Sequence, residues 1–309
     1  MLWRAIIEVT GRCNSRCSTC FAWKRTSEDL PADFFFKLAD ELKAPVVHLT
    51  GGEPLLRSDI GDIIRAFSKR ARLIEISTNG LLEFDPPDGR IAIGVSIDGT
   101  RETYSRVRGV DAFDKVFSNY LRLRKLAEER KDLLVHLNYT ISWGNVGKLG
   151  DFLRFLREHG IPAWEVSISV VQGGRLFGRG ASYTGEFIAS ALSDLRVYEE
   201  ALREGKKKGK GILGRVRYAY LFSMLEVMRK RLMEFSMGVI RPVNCGAGRE
   251  FFTVTSDGML APCNYLPGLA DLKEKSLREG LAELRSFHSS SCGIPCLNFC
   301  NQLAYIRSE

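Results

Sequence analysis

The sequence predicts an α/β fold, a partial (β/α)6 TIM-like barrel followed by a small C-terminal β-hairpin/helix domain. Runs enriched in β-branched residues alternate with amphipathic helical patterns over the first half of the chain, which is typical of repeated βα units. This rhythm stops after Gly174, and a hairpin signal follows at Asp257-Gly258. A chain of 309 residues has room for one large domain with an appendage.

Six strands are predicted in the barrel. Parallel strands need crossover helices between them, and right-handed crossovers curl the sheet. Eight such units close the full barrel, so six leave it open, and the active site is expected where the strands end. The predicted strands cover residues 5–10, 46–50, 73–78, 91–98, 134–141 and 164–170, and the helices cover 32–42, 59–69, 113–130 and 146–159, with Asn145 as N-cap of the last.

The second half of the chain has a different pattern. A glycine-rich loop precedes helical patterns that end near Arg203 and run again over 218–236, and a β-hairpin over 251–263 is followed by a short helix over 276–287. We therefore predict three parts: the barrel over 1–180, a helical connecting region over 181–240 and a C-terminal domain over 241–309.

Composition places the chain among globular proteins. Its 45% hydrophobic and 27% charged residues argue against wholesale disorder, a collagen-like repeat or a disulfide-built miniprotein. No apolar run approaches the ~18 residues that a membrane span needs, and the N-terminal residues lack the small-residue cleavage site of a signal peptide. We expect a soluble, cytoplasmic protein.

The net charge of +8 has three explanations: a nucleic-acid surface, an acidic substrate, or bound anionic groups that the formal count omits. The basic stretch over 203–217 has Tyr218 and Tyr220 beside it but no interleaved aromatic residues, so a solvated loop is the simpler interpretation and nucleic-acid binding is the non-enzyme alternative. Eight cysteines in tight groups favour the third explanation, because in a reducing compartment such groups bind metals or act in catalysis.

The first cysteine group follows the first predicted strand. Cys13, Cys17 and Cys20 form C-x3-C-x2-C, and no fourth cysteine is nearby. Three thiolates can hold three irons of a cubane and leave one iron open to a substrate or cofactor. The alternatives are a zinc site, which favours four ligands in paired C-x2-C spacing, and a group of structural thiols.

Further signals stand at the ends of the next three predicted strands: Gly51-Gly52-Glu53-Pro54, Ser77-Thr78-Asn79-Gly80 and Ser96-Ile97-Asp98-Gly99. A lone GGE or TNG is common in proteins, but this ordered set on successive strands is specific. Together with C-x3-C-x2-C it resembles the radical S-adenosylmethionine (radical SAM) superfamily over roughly residues 6–174.

The resemblance implies a [4Fe-4S] cluster on Cys13, Cys17 and Cys20 whose open iron binds SAM. An electron from a reductant such as ferredoxin or flavodoxin then cleaves SAM to a 5′-deoxyadenosyl radical, which abstracts hydrogen from a substrate. Backbone groups of the GGE turn and its glutamate are implied at the methionine amino end, the next polar pair at the ribose or carboxylate, and an arginine at the carboxylate. The SAM-binding residues so implied are Gly51, Gly52, Glu53, Thr78, Asn79, Ser96, Asp98, Arg108, Asn138 and Thr140.

The second cysteine group lies in the C-terminal domain. Cys245 and Cys263 fit C-x12-G-x4-C, which resembles the signature of SPASM and twitch extensions, auxiliary iron–sulfur domains behind many radical SAM barrels. Two cubanes with all-cysteine ligation need eight thiolates and five are present, so one auxiliary [4Fe-4S] cluster is predicted. Its ligands are Cys245, Cys263 and Cys300 with the fourth from Cys292 or Cys296; two incompletely ligated clusters or a zinc site are the alternatives.

The sequence leaves the substrate open. The SPASM-like signature favours a maturase that modifies a peptide or protein side chain. A small-molecule or cofactor-pathway oxidoreductase of the tetrapyrrole, molybdopterin or cyclitol type is the alternative, favoured by the short chain and reduced extension. No catalytic base is assigned.

Overall fold

The computed structural model describes residues 2–20, 22–25, 28–171, 183–206, 212–238 and 245–287. Over this part of the chain the strands form one sheet in the order β6-β5-β4-β3-β2-β1-β7-β8-β9. The strands are β1 Arg4–Thr10, β2 Val46–Gly51, β3 Leu73–Thr78, β4 Ile91–Ser96, β5 Leu133–Ile141, β6 Val166–Val170, β7 Phe251–Val254, β8 Met259–Ala261 and β9 Ala270–Asp271.

The first six strands are parallel and adjacent in chain order, as a partial (β/α)6 barrel requires. Residues 79–90 connect β3 to β4 without a helix, whereas two helices lie between β4 and β5. The helices are α1 Ala32–Glu41, α2 Ile60–Ser68, α3 Arg101–Arg108, α4 Phe113–Glu129, α5 Leu149–Glu158, α6 Gly185–Lys206, α7 Ile212–Ser236 and α8 Leu277–Leu284.

The two faces of the barrel sheet differ in polarity because side chains alternate along each strand. One face carries residues such as Ile7, Leu49 and Ile93, which are fully buried and belong to the main hydrophobic core with the helices. The opposite, concave face carries polar residues such as His48 and Ser77. The fold therefore directs its polar chemistry to the inside of the open barrel.

Helix α3 is absent from the prediction. Its sequence, RETYSRVR, is largely polar and resembles a loop by composition, but Tyr104 and Val107 are fully buried, and Gly109 ends the helix in the left-handed region with a φ of 65°. The predicted N-cap Asn145 is wrong. Helix α5 begins at Leu149, and the Asn145 side chain instead accepts a 2.6 Å hydrogen bond from the Ser142 amide.

The C-terminal hairpin turns at Asp257-Gly258 as predicted, with Gly258 at a φ of 88°. Strand β7 pairs in parallel with β1, from Arg4 opposite Phe251 to Ile7 opposite Val254. The hairpin thus extends the barrel sheet. The division into three parts remains a prediction, since the sheet runs through from the barrel to the C-terminal part.

Helix α8 begins with a capping box in which Ser276 and Glu279 each accept a hydrogen bond from the other's backbone amide. Among the described residues, no helix combines the length and the apolar character that crossing a membrane would need.

Candidate active site

A cavity of about 250 Å³ opens where the parallel strands end. The loop after β1 forms one wall, the ends of β2 to β6 form the floor, and residues after β8 close one side. Eight of the ten predicted cofactor residues line it, together with three cysteines. These are Gly51, Gly52, Thr78, Asn79, Ser96, Asp98, Arg108 and Thr140, with Cys13, Cys17 and Cys20.

The three cysteines in this wall are free thiols. Burial raises the pKa of Cys13 to about 11 and also raises that of Cys20. Backbone amides oppose this effect, since the N–H of Ser15 points at the Cys13 sulfur and that of Ala22 at the Cys20 sulfur. Amides directed at sulfur suit thiolates that ligate a metal cluster, whose potential depends on such hydrogen bonds.

The number and placement of these thiols bear on which group they could hold. Within the described ranges, no three His, Cys, Asp or Glu side chains lie close enough together to hold one metal ion. Nevertheless Cys13, Cys17 and Cys20 all face one cavity. A zinc site needs its ligands around one ion, whereas an iron–sulfur cubane spreads its ligands over several irons. Three thiols that face one cavity therefore fit the three ligated irons of a cubane.

The glycines after β2 are required by the backbone of the cysteine loop. A Cβ at Gly51 would lie 2.3 Å from the Thr10 carbonyl oxygen, and one at Gly52 would lie 1.9 Å from that of Arg12. The same approach lets the Gly52 amide donate to Thr10 (2.8 Å) and the Glu53 amide to Arg12 (2.8 Å). These glycines therefore hold the cysteine loop against the end of β2.

Glu53 lies behind the cavity wall. Its side chain is 1% exposed and accepts hydrogen bonds from Thr78 Oγ1 (2.8 Å) and from the amides of Asn79 (2.6 Å) and Leu55 (3.1 Å). Burial raises its pKa, although these donors oppose the shift. Glu53 thus fixes the end of β3 through its hydrogen bonds with Thr78 and Asn79. The contact with SAM that the resemblance implies for it stays a prediction.

Asn79 connects the end of β3 to the cysteine loop. Its side-chain amide donates to Asn14 Oδ1 at 2.6 Å and lies 4.0 Å from Cys13 Sγ. Its Oδ1 accepts a hydrogen bond from the Leu81 amide at 3.0 Å, which fixes the amide's orientation. Asn79 is thereby held next to the Cys13 sulfur.

Asp98 and Arg108 form an ion pair in the cavity wall. Arg108 Nε lies 2.6 Å from Asp98 Oδ2, Asp98 Oδ1 accepts from the Thr140 amide at 2.7 Å, and Arg108 Nη1 lies 3.9 Å from Cys17 Sγ. Burial raises the pKa of Asp98 in spite of its cationic partner. Arg108 therefore places a positive charge between the Asp98 carboxylate and the Cys17 thiol. A SAM carboxylate paired with Arg108, as predicted, would share this charge with Asp98.

Asn138 does not line the cavity. A Cβ at Gly94 of β4 would lie 2.3 Å from Asn138 Nδ2 and 2.9 Å from His136 Nε2, so both side chains of β5 lie over that glycine on the concave face. Thr140, two residues further along β5, faces the cavity, and its hydroxyl pairs with Ser169 of β6 at 3.0 Å.

The second cysteine group is described only in part. Cys245 and Cys263 pack against one small apolar cluster of Ile6, Ala247 and Phe251, and the Ala247 amide lies 3.4 Å from Cys245 Sγ. Cys292, Cys296 and Cys300 lie outside the described residues. The auxiliary cluster and its ligand set stay predictions.

Sequence reasoning missed the residues that close the cavity. Trp23, Asn264 and Tyr265 line it together with Glu8 of β1. Trp23 stands three positions after Cys20, and Asn264 follows Cys263 directly, so proximity to cysteines was the available signal. Nothing in the sequence indicated that the two segments meet.

Residues 7–141 match the family described as the Radical SAM superfamily. An AdoMet-dependent heme synthase of Methanosarcina barkeri is 28% identical over 291 residues, which cover 88% of this chain and 80% of that protein. A GTP 3′,8-cyclase of Clostridium botulinum is 27% identical over 287 residues, covering 86% and 82%. An Fe-coproporphyrin III synthase of M. barkeri is 32% identical over 167 residues, half of this chain but only 41% of that protein.

Two solved structures share the fold. Native anSMEcpe with bound AdoMet and Cp18Cys peptide has a TM-score of 0.62 at 16% identity, covering 94% of this chain and 81% of that one. SuiB of Streptococcus suis bound to the precursor peptide SuiA has a TM-score of 0.61 at 16% identity, covering 93% and 67%. At such low identity the likeness concerns the fold alone.

Proposed function

We propose, from the premise that the chain is a radical SAM enzyme whose family domain spans residues 7–141, that it abstracts hydrogen from a carboxylate-bearing tetrapyrrole. The alternative that the chain is a basic, non-enzymatic nucleic-acid-binding protein is set aside by that premise. The proposal concerns the substrate. It rests on the segment that follows Cys20, around Trp23, and not on the strand ends that form the cavity floor.

Cys13, Cys17 and Cys20 would hold the [4Fe-4S] cluster. When bound, this cluster supplies the electron that cleaves SAM to methionine and the 5′-deoxyadenosyl radical, which abstracts the hydrogen atom. The chain's own residues orient the reactants and exclude competing reactions. Asn79 and Arg108 each place a donor group beside one of the three thiols, Cys13 at 4.0 Å and Cys17 at 3.9 Å.

The segment after Cys20, whose Ala22 and Trp23 line the cavity, contains the single observation that carries the substrate proposal. The indole Nε1–H of Trp23 and Arg25 Nη2 are both buried, and neither has an acceptor among the described residues. A buried donor without an acceptor costs about 1–3 kcal/mol. Two such donors two residues apart, in the segment that follows Cys20, favour a ligand that brings oxygen acceptors.

The charge around these donors favours a carboxylate over a neutral oxygen. The guanidinium of Arg16 and the ammonium of Lys24 each lie 5.2 Å from the centre of a Trp23 ring. Arg25 adds a third positive charge, and its Nη1 is paired with the buried carboxylate of Glu8 at 2.7 Å. Three cations therefore lie near Trp23, the residue of this segment that lines the cavity.

Tetrapyrroles such as coproporphyrin carry carboxylate side chains around a large apolar ring. The names of two relatives, a heme synthase and an Fe-coproporphyrin III synthase, state products of this class. The heme synthase matches over most of both chains, which supports the same class for this chain. These two lines of support agree with the carboxylate preference of the wall.

Two other substrate classes are second candidates. A peptide substrate is supported by the titles of two solved structures, but their identity of 16% concerns the fold alone. A nucleotide is supported by the similarity to a GTP 3′,8-cyclase over 82% of that protein. A triphosphate would also bring oxygen acceptors to these donors, so the tetrapyrrole ranks first because the names of two relatives state products of that class.

The test uses anaerobically reconstituted protein with dithionite, SAM and iron coproporphyrin III as the probe. We expect the probe to increase the rate of 5′-deoxyadenosine formation and to change mass. Trp23→Phe, which keeps the ring and removes the N–H, should weaken probe binding at least about tenfold, because a hydrogen bond to a charged group contributes about 1.5–3 kcal/mol. Trp143→Phe is the matched control, because Trp143 is 48% exposed and outside the cavity. If the probe leaves SAM cleavage unchanged, the tetrapyrrole proposal is wrong.

A further inference from the structure

A chain of three polar side chains crosses the concave face of the barrel and ends at the cavity. Arg4 of β1, His48 of β2 and Ser77 of β3 lie on adjacent strands. Arg4 Nη2 lies 3.0 Å from His48 Nδ1, and His48 Nε2 lies 2.8 Å from Ser77 Oγ. Ser77 lines the cavity, whereas Arg4 and His48 do not.

The first link fixes the tautomer of the histidine. A guanidinium has only donors, so Nδ1 of His48 must accept, and the ring proton of the neutral imidazole then sits on Nε2. Burial, followed by the charge of Arg4, lowers the pKa of His48 well below its usual value, which agrees with a neutral ring. Arg4 is itself held by an ion pair with Glu75 at 2.5 Å, with only 8% of its side chain exposed. Arg4 therefore sets the donor-to-acceptor direction of the hydrogen bonds that run from Arg4 through His48 to Ser77.

The second link fixes the serine hydroxyl. Because Nε2–H donates to Ser77 Oγ, the hydroxyl hydrogen must point to another acceptor. No residue in the described part of the chain accepts it. A hydroxyl that already accepts a hydrogen bond is polarised and donates more strongly. Ser77 therefore presents a directed donor to the contents of the cavity.

We propose that Ser77 donates this hydrogen bond to an acceptor atom of bound SAM, and that Arg4 and His48 are positioning residues that fix its direction. Ser77 occupies the floor between Gly51 at the end of β2 and Ser96 at the end of β4, in the cavity shared with the cluster cysteines. The inference concerns the cofactor and is independent of which substrate the enzyme uses.

The inference is tested by measuring the Kd of SAM for the reconstituted protein in equilibrium dialysis, without turnover. Ser77→Ala should raise the Kd for SAM about tenfold, which corresponds to about 1.4 kcal/mol. Ser77→Thr, which keeps the hydroxyl, should stay within about twofold of the wild type. Ser236→Ala is the matched control, because Ser236 is exposed at the end of α7.

The role of His48 is tested by pairing variants. His48→Leu removes the donor to Ser77 and should raise the Kd, whereas His48→Gln can still accept from Arg4 and donate to Ser77 and should restore most of the affinity. In the double variant Ser77→Ala with His48→Leu, the Kd should match that of Ser77→Ala alone, because both changes remove one interaction.

Two results would overturn the inference: a Kd for Ser77→Ala equal to that of the wild type, or losses from Ser77→Ala and His48→Leu that multiply in the double variant. Iron content, measured on every variant, shows whether the fold and cluster persist. If His48→Leu fails to retain iron, the comparison of Ser77→Ala with Ser77→Thr decides alone. Equal Kd values for these two would then refute it.

Discussion

Individual charged residues in the cavity wall are engaged with each other as well as with the expected cofactor. The resemblance to radical SAM enzymes implies that Arg108 pairs with the SAM carboxylate. The structure adds an ion pair between Arg108 and Asp98 and a contact with Cys17. Such pairing follows from burial, because a carboxylate that is 2% exposed needs a compensating charge. The sequence motif located both residues, but it could not show that they are partners.

This pairing predicts the effect of removing the arginine. Arg108→Met should lower the free energy of unfolding by about 3 kcal/mol, because it leaves Asp98 buried without its partner. Adding Asp98→Asn should recover much of that stability without restoring SAM binding, since the positive charge beside Cys17 is still missing. Urea denaturation and SAM dialysis of both variants measure the two effects. Equal stability of Arg108→Met and wild type would contradict the buried ion pair.

His48 gives a pH-dependent contribution to stability. Its folded pKa lies well below the usual value of about 6.5, so the unfolded chain binds the proton first as the pH falls. The stability that this creates is fully present above about pH 6.5 and is lost below it, by at most about 1.4 kcal/mol per pH unit. In His48→Gln this part of the slope should disappear. Denaturation of both proteins between about pH 5 and 7 measures the difference, and parallel curves would refute the prediction.

Among the elements, the strand ends were the most predictable and the connections the least. The six barrel strands and four of their helices follow from periodicity, because buried parallel strands and amphipathic helices leave strong patterns. Helix α3 is short and polar, and its burial depends on two residues, Tyr104 and Val107. A helix of this kind is specified by tertiary packing, which composition does not reveal.

The glycine turn after β2 holds the cysteine loop by close contact. Gly52→Ala would place a methyl group 1.9 Å from the Arg12 carbonyl oxygen. We expect the loop to be displaced and most of the first cluster to be lost, measured as a fall of about four irons per chain. Gly61→Ala is the matched control: it lies in α2, and its Cβ would meet only the Arg65 side chain at 3.6 Å. Full iron content in Gly52→Ala would show that the turn has another role.

The loop after Cys20 is joined to the C-terminal hairpin by a buried ion pair. Arg25 Nη1 lies 2.7 Å from Glu8 Oε2 and 3.0 Å from Ser256 Oγ, and the Ser256 amide donates to the same carboxylate at 3.2 Å. The cysteine loop, β1 and the β7–β8 turn therefore meet at one carboxylate. No sequence signal links these three segments, since they are up to 248 positions apart.

Removing this link should loosen the hairpin. Arg25→Met removes the cation that is paired with the buried Glu8 carboxylate and should cost about 3 kcal/mol, with faster amide hydrogen exchange in β7 and β8. Arg65→Met is the matched control, because the Arg65–Asp62 pair is 59% exposed on both sides and such surface pairs contribute little. Unchanged exchange in β7 of Arg25→Met would mean that strand pairing with β1 holds the hairpin alone.

For the whole molecule, the prediction of the barrel class is confirmed, and the three cysteines of the first group face one cavity at the strand ends. Ordered motifs on successive strands are specific enough for this, whereas the cluster on these cysteines stays a prediction. The sequence did not predict that the C-terminal hairpin continues the barrel sheet through β7. That pairing joins residues such as Ile6 and Thr253, which are far apart in the chain, and a four-residue strand carries no signal of its partner. The cavity lining around Trp23 has no sequence signal for the same reason, since it forms only where distant segments meet.

The central claim is that Cys13, Cys17 and Cys20 hold the cluster that cleaves SAM. The most direct test measures iron content and 5′-deoxyadenosine formation in reconstituted wild type and in the triple alanine variant at these positions, with dithionite and SAM. We predict that the wild type forms 5′-deoxyadenosine, and that the variant contains about four fewer irons per chain and forms none. Cleavage of SAM by the triple variant at the wild-type rate would contradict the claim.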